Sequence, residues 1–111
     1  DDIEPTQVTQ KQQEPIIDEI KYNELLNEKL SNYQEVEVYE GLGDNYLAVN
    51  DEMKSIFNYQ NGLDIANTHN IVPKVTDLNS KIAETYNRKG ELEAARGYFR
   101  NSLKAILFQL Y

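Results

Sequence analysis

Residues 36–46, VEVYEGLGDNY, align with residues 76–86, TDLNSKIAETY, at a spacing of 40 positions. The alignment then carries on through Ser55/Ala95, Tyr59/Phe99, Gly62/Ser102 and Leu63/Leu103. Small residues meet small ones and aromatics mostly meet aromatics, the pattern that stacking of like helix pairs requires. An array of this kind buries its core between neighbouring units and presents a surface rather than a catalytic cleft. The pattern points to binding.

Working outward, Asn32 is expected to cap a helix that runs to about Val49, with Asn50-Asp51 as the turn. Residues 52–67 form its partner. A connector over residues 67–73 leads to Pro73 in the first turn of a third helix, which ends near Lys89 at the turn residue Gly90. The last helix covers about 91–110. Upstream, residues 15–33 read as a leading helix with Ile16, Ile17, Ile20, Leu25, Leu26 and Leu30 as its apolar positions. Residues 1–14 read as a flexible acidic, Gln-rich tail. Asn61-Gly62 has the look of a hairpin turn, but its place opposite Ser102 favours a helix in close contact. Gly41-Leu-Gly43 lacks the third glycine of a phosphate-binding loop, since Tyr46 stands there, and no strand precedes it.

The 111 residues bound the chain to one domain or less. With only 5 glycines and 3 prolines, helix is favoured. The absence of Cys removes disulfides, thiolate metal sites and Cys nucleophiles. Charge is unevenly spread. Residues 1–50 hold 12 acids and 3 bases, whereas residues 51–111 hold 7 acids and 8 bases. An acidic chain repels nucleic acid and anionic lipid, so neither is an expected partner, and no membrane insertion is expected. Cytoplasmic placement is the expectation, with a signal segment lost from the chain as the alternative.

The small and aromatic positions resemble those of the tetratricopeptide repeat, a helix–turn–helix unit, in a longer 40-residue variety. Leu42, Gly43, Tyr46, Ser55, Tyr59 and Gly62 carry the first copy; Ile82, Ala83, Tyr86, Gly90, Ala95, Phe99 and Ser102 carry the second. Asn79 in place of an aromatic, Asn50 in place of the turn glycine and the missing closing prolines depart from that pattern. The resemblance implies an all-α, right-handed solenoid of antiparallel helix hairpins, with repeats over 34–73 and 74–111. It also implies a concave groove lined by the first helix of each pair. Carried over by register, the groove residues are Glu37, Glu40, Asp44, Leu47 and Ala48, then Asp77, Ser80, Glu84, Asn87 and Arg88. Five of these ten are acidic, so the expected ligand is a basic or amphipathic peptide or helix rather than an acidic chaperone tail. The bland alternative is a solvated helix face.

Arg96, Arg100 and Lys104 form a basic stripe on the last helix, either solvated or in contact with the acidic N-terminal half of a second copy or of the parent protein. Ile106, Leu107, Phe108, Leu110 and Tyr111 leave apolar surface there, which suits further repeats or a homo-oligomer. The expected function is therefore protein–protein interaction. The alternatives are the ligand-sensing part of a larger signalling protein and a self-assembly module. Enzymatic activity is not expected: His69, the only histidine, lies in a connector, and Glu91 and Glu93 point to different sides of a helix. No cofactor or metal is expected.

Overall fold

The computed structural model describes residues 18–110, and these are all-α. Five helices follow one another: α1 (Glu19–Leu26), α2 (Asn32–Ala48), α3 (Glu52–Thr68), α4 (Val72–Arg88) and α5 (Leu92–Leu110). The expected tail, residues 1–14, the start of the leading helix and Tyr111 lie outside the described residues. The leading helix itself is short. It stops at Leu26, and Leu30 sits in the loop before α2.

The structural period is 20 residues, half the spacing visible in the sequence. The four later helices begin at positions 32, 52, 72 and 92, and three matching turns join them. In each turn one residue takes the left-handed conformation: Asn50 (φ 64°), Asn70 (φ 55°) and Gly90 (φ 81°). The following amides donate back to the helix just ended, Asp51 to Tyr46 O at 2.9 Å, Ile71 to Ala66 O at 2.8 Å and Glu91 to Tyr86 O at 3.0 Å. Asparagine tolerates this conformation better than other non-glycine residues. The connector expected over 67–73 thus shrinks to the same short turn as the other two.

Helix starts differ in how their free amides are met. Ser31, not Asn32, caps α2; its hydroxyl accepts from the Gln34 amide, and the Gln34 side chain accepts from the Ser31 amide. This capping box makes Asn32 the first helical residue. Asp51 caps α3 through the Lys54 amide. The N-terminus of α4 has no side-chain cap and relies on Pro73, which needs no amide partner in the first turn.

Helices α2 and α3 pack closely, as do α4 and α5, and α3 lies against α4. Gly43 sets the first contact: a Cβ there would stand 2.4 Å from the Tyr59 ring. Ser55 donates its hydroxyl to Gly43 O at 2.8 Å, so the crossing point is both tight and bonded. Gly62 lies inside α3 against Tyr39, Val36 and Leu78, which settles the Asn61-Gly62 ambiguity in favour of helix.

The core has two parts. Val36, Ile56, Tyr59, Leu63, Ala66, Leu78 and Ile82 form the main one. Val38, Leu42 and Tyr46 form the other, under Tyr22, Leu25, Leu26 and Leu30 from α1 and the loop that follows. The repeat register sets Tyr46 in the space beside Tyr59 and Tyr86 in that beside Phe99, and the structure places these aromatics otherwise. Tyr46 does not fill space beside Tyr59; it joins the α1 cluster and donates its hydroxyl to Glu19. The partner of Tyr86 is Tyr98, stacked at 5.7 Å, whereas Phe99 is 44% exposed because no described helix covers its side of α5.

Candidate protein-binding faces

A ladder of ion pairs joins α2 to α4 across the expected groove. Lys74 Nζ lies 2.8 Å from Glu40 and 3.7 Å from Glu37; Lys81 Nζ lies 2.9 Å from Glu40 and 3.0 Å from Asp44. Asp44 also accepts the Tyr59 hydroxyl. Lys74 stands 5.3 Å over the Tyr33 ring and Lys81 5.8 Å over that of Tyr59, so both ammonium groups have an aromatic face as well as carboxylates. Two turns of α4 separate the lysines, which lets each reach successive acids of α2.

The electrostatics follow from this geometry. Burial pushes Glu40 up, but the bonds and charges of Lys74 and Lys81 outweigh it and hold its carboxyl below the ordinary range. Burial pushes the two lysines down, but Glu40, joined at Lys81 by Asp44, more than compensates, so both sit above the ordinary ammonium value. Glu40 is therefore committed to the protein's own α2–α4 contact.

The remaining expected groove residues divide. Glu37 is exposed, with only the longer Lys74 contact. Asp77 and Glu84 are exposed and make no ion pair among the described residues. Arg88 donates to Asn50 at 2.9 Å and approaches Glu52 at 3.8 Å, which ties the end of α4 to the α2–α3 turn. Leu47 is half-buried, while Ala48 and Asn87 are exposed. Ser80 does not face the groove freely: its hydroxyl pairs with that of Ser102 at 2.7 Å inside the α4–α5 hairpin. Lys74 and Lys81 were missed because a 40-residue alignment sets α2 and α4 in equal register. Their actual contacts link residues 34 to 41 positions apart, such as Glu40 with Lys74 and with Lys81.

Elsewhere, a cleft of about 400 Å³ opens where α3, α4 and α5 meet. Asn67, Asn70, Asn79 and Asn101 line it together with Tyr98 and Lys104. Asn79 is buried, donates to Val75 O at 2.9 Å and leaves its Oδ1 without a hydrogen-bond partner. On α5, Arg100 and Lys104 make no ion pair among the described residues, and Arg96 has only a 3.8 Å contact to Glu93. His69 is exposed at the end of α3. Among the described residues no cluster of three metal-ligating side chains occurs, and no helix is long and apolar enough to cross a membrane.

No protein-family model, no curated protein and no solved structure matches this chain.

Proposed function

We propose that the chain is a helical-repeat module of the tetratricopeptide type that binds a segment of another protein along the face shared by α2 and α4. One observation carries this reading. The Lys74–Glu40–Lys81–Asp44 ladder holds the two helices side by side while Glu37, Asp77 and Glu84 stay outward. Five carboxylates there (Glu37, Glu40, Asp44, Asp77 and Glu84) meet three cations, Lys74, Lys81 and Arg88, which leaves a net charge of −2 on the face. A basic or amphipathic segment with spaced Lys or Arg fits that residual charge. Glu40 and Asp44 then shape the groove, and Asp77, Glu84 and Glu37 contact the ligand.

The test is a peptide array probed with the wild type and with an Asp77→Lys, Glu84→Lys variant of unchanged circular dichroism. The wild type should select peptides rich in Lys or Arg, and the variant should lose that selection. Equal selection by both forms, or none by either, sinks the groove reading.

A second reading, ligand sensing, draws on the asparagine-lined cleft between α3, α4 and α5. Four amide side chains and the Lys104 ammonium around an apolar floor suit a small amphiphilic molecule with an acid group and a hydrogen-bond donor. A ligand-observed NMR screen would decide it: hits that shift Asn79 and Asn101 support the cleft, and hits scattered over the surface refute it.

A further inference from the structure

The face that α5 turns outward has a covered counterpart within the same chain. Forty positions earlier, Tyr59, Leu63 and Ala66 of α3 are buried in one cluster with Leu78 and Ile82 of α4. Their equivalents on α5 are Phe99, Leu103 and Ile106, and all three are exposed. Asn67 corresponds to Leu107, which is exposed as well. The apolar spacing that receives α4 on α3 is thus repeated on α5 with nothing over it among the described residues.

Charge distinguishes the two faces. At the positions equivalent to Arg96 and Arg100, α3 has Ile56, which is buried, and Gln60, which donates to Tyr98 at 3.0 Å. On α3 these two positions, one in the core and one neutral, carry no charge, whereas on α5 they are cations, followed a turn later by Lys104 where α3 has the exposed Asp64. A helix lying on α5 as α4 lies on α3 must bring carboxylates to these cations or leave the guanidinium groups partly desolvated and unpaired. This chain itself contains both kinds of covering helix. Residues 31–50 hold four acids and no base, while residues 72–90 hold four bases and two acids. Both have matching apolar positions, Val38, Leu42 and Tyr46 in the first and Leu78, Ile82 and Tyr86 in the second.

We propose that the outer face of α5 is a docking site for an acidic amphipathic helix of a partner protein, seated on Phe99, Leu103, Ile106 and Leu107 and edged by Arg96 and Arg100. The site uses a different surface from the α2–α4 groove, so its fate and the groove's are tested separately.

Two extended chains test it. One carries a second copy of residues 31–50 after Tyr111 through a flexible Gly-Ser linker; the other carries residues 72–90 through the same linker. Tethering raises the effective concentration enough for docking to show without a tight intrinsic affinity. The acidic extension should raise the thermal midpoint by about 5–10 °C and add helicity, while the basic one should do neither. Salt at about 0.5 M should shrink the shift. Arg96→Glu with Arg100→Glu should abolish the effect of the acidic extension and transfer it to the basic one. Equal shifts from both extensions, or a shift indifferent to the charge reversal, would overturn the proposal. So would self-association of the unextended chain that Phe99→Lys dissolves, because the occupant would then be a second copy.

Discussion

Lys81 bridges two acids of a helix it does not belong to: its Nζ lies 2.9 Å from Glu40 Oε2 and 3.0 Å from Asp44 Oδ1. With Lys74 on the other side of Glu40, the bridge fixes the register of α2 against α4. A carboxylate held by two ammonium groups in a half-buried site is coupled to them more strongly than an exposed pair would be. A double-mutant cycle of Glu40→Gln and Lys81→Met, read by urea unfolding, should return a coupling of about 1 kcal/mol. Additive losses would mean that the bridge is only a surface pair.

The same bridge sets a pH dependence. The folded carboxyl of Glu40 is depressed, so its stabilisation is complete above the unfolded value and is lost as pH falls through the lower, folded one. Thermal midpoints should therefore drop below about pH 4.5 in the wild type, with a shallower drop in Glu40→Gln. At the alkaline end the sign reverses. The bond to Glu19 raises the Tyr46 phenol to about 12. Its contribution is present below the ordinary phenol value and is lost as pH rises from about 10 towards the folded value. Tyr46→Phe should flatten that alkaline decline. An unchanged slope would show that the Tyr46–Glu19 bond does not persist in solution.

Two glycines should respond oppositely to the same substitution. At Gly43 an added Cβ meets the buried Tyr59 ring at 2.4 Å, and the ring has no room to withdraw. Gly43→Ala should cost about 1–3 kcal/mol despite the better helix propensity of alanine. At Gly97, inside α5, a Cβ meets nothing within 4 Å. Gly97→Ala should gain about 0.5–1 kcal/mol. Denaturant midpoints of the two variants on either side of the wild type would establish both; a stabilised Gly43→Ala would contradict the packing.

What could be read from the chain before its structure was known is what depends on residue size and backbone conformation. The close helix approach at Gly43, Gly62 inside a helix, Gly90 in the turn and the bounds of the four later helices to within a residue or two all follow from such local rules, whereas the leading helix, expected over 15–33, ends at Leu26. The 20-residue period escaped because the large–small order inverts between successive helices: Leu42-Gly43 becomes Gly62-Leu63, then Ile82-Ala83 and Ser102-Leu103. That inversion hides each helix from its neighbour in an alignment, although it is what lets them interlock. Asn70 escaped because the left-handed tolerance of asparagine is not visible as a glycine's is. At the face itself the acids were legible and their partners were not. Lys74 and Lys81 become neighbours of Glu40 only through the packing of α2 on α4, which no local pattern encodes. Tyr98 and Phe99 exchange roles for a similar reason, since helix rotation, not composition, decides which aromatic reaches Tyr86.

Asn79 offers a test in which stability and binding should move apart. It is buried, yet its Oδ1 has no partner, and its only hydrogen bond in the structure, to Val75 O, can be lost because that carbonyl has a place in the helical ladder. Leucine matches asparagine closely in shape and leaves no polar atom behind. Asn79→Leu should therefore stabilise the fold by about 1 kcal/mol in urea unfolding. A polar residue retained at a stability cost is often retained for function. If the cleft beside Asn79 binds a small molecule, the stabilised variant should lose the NMR-detected ligands that the wild type binds there. A variant that is destabilised would instead place a bridging group on Asn79 Oδ1 in solution and remove the argument for a stability cost at this position.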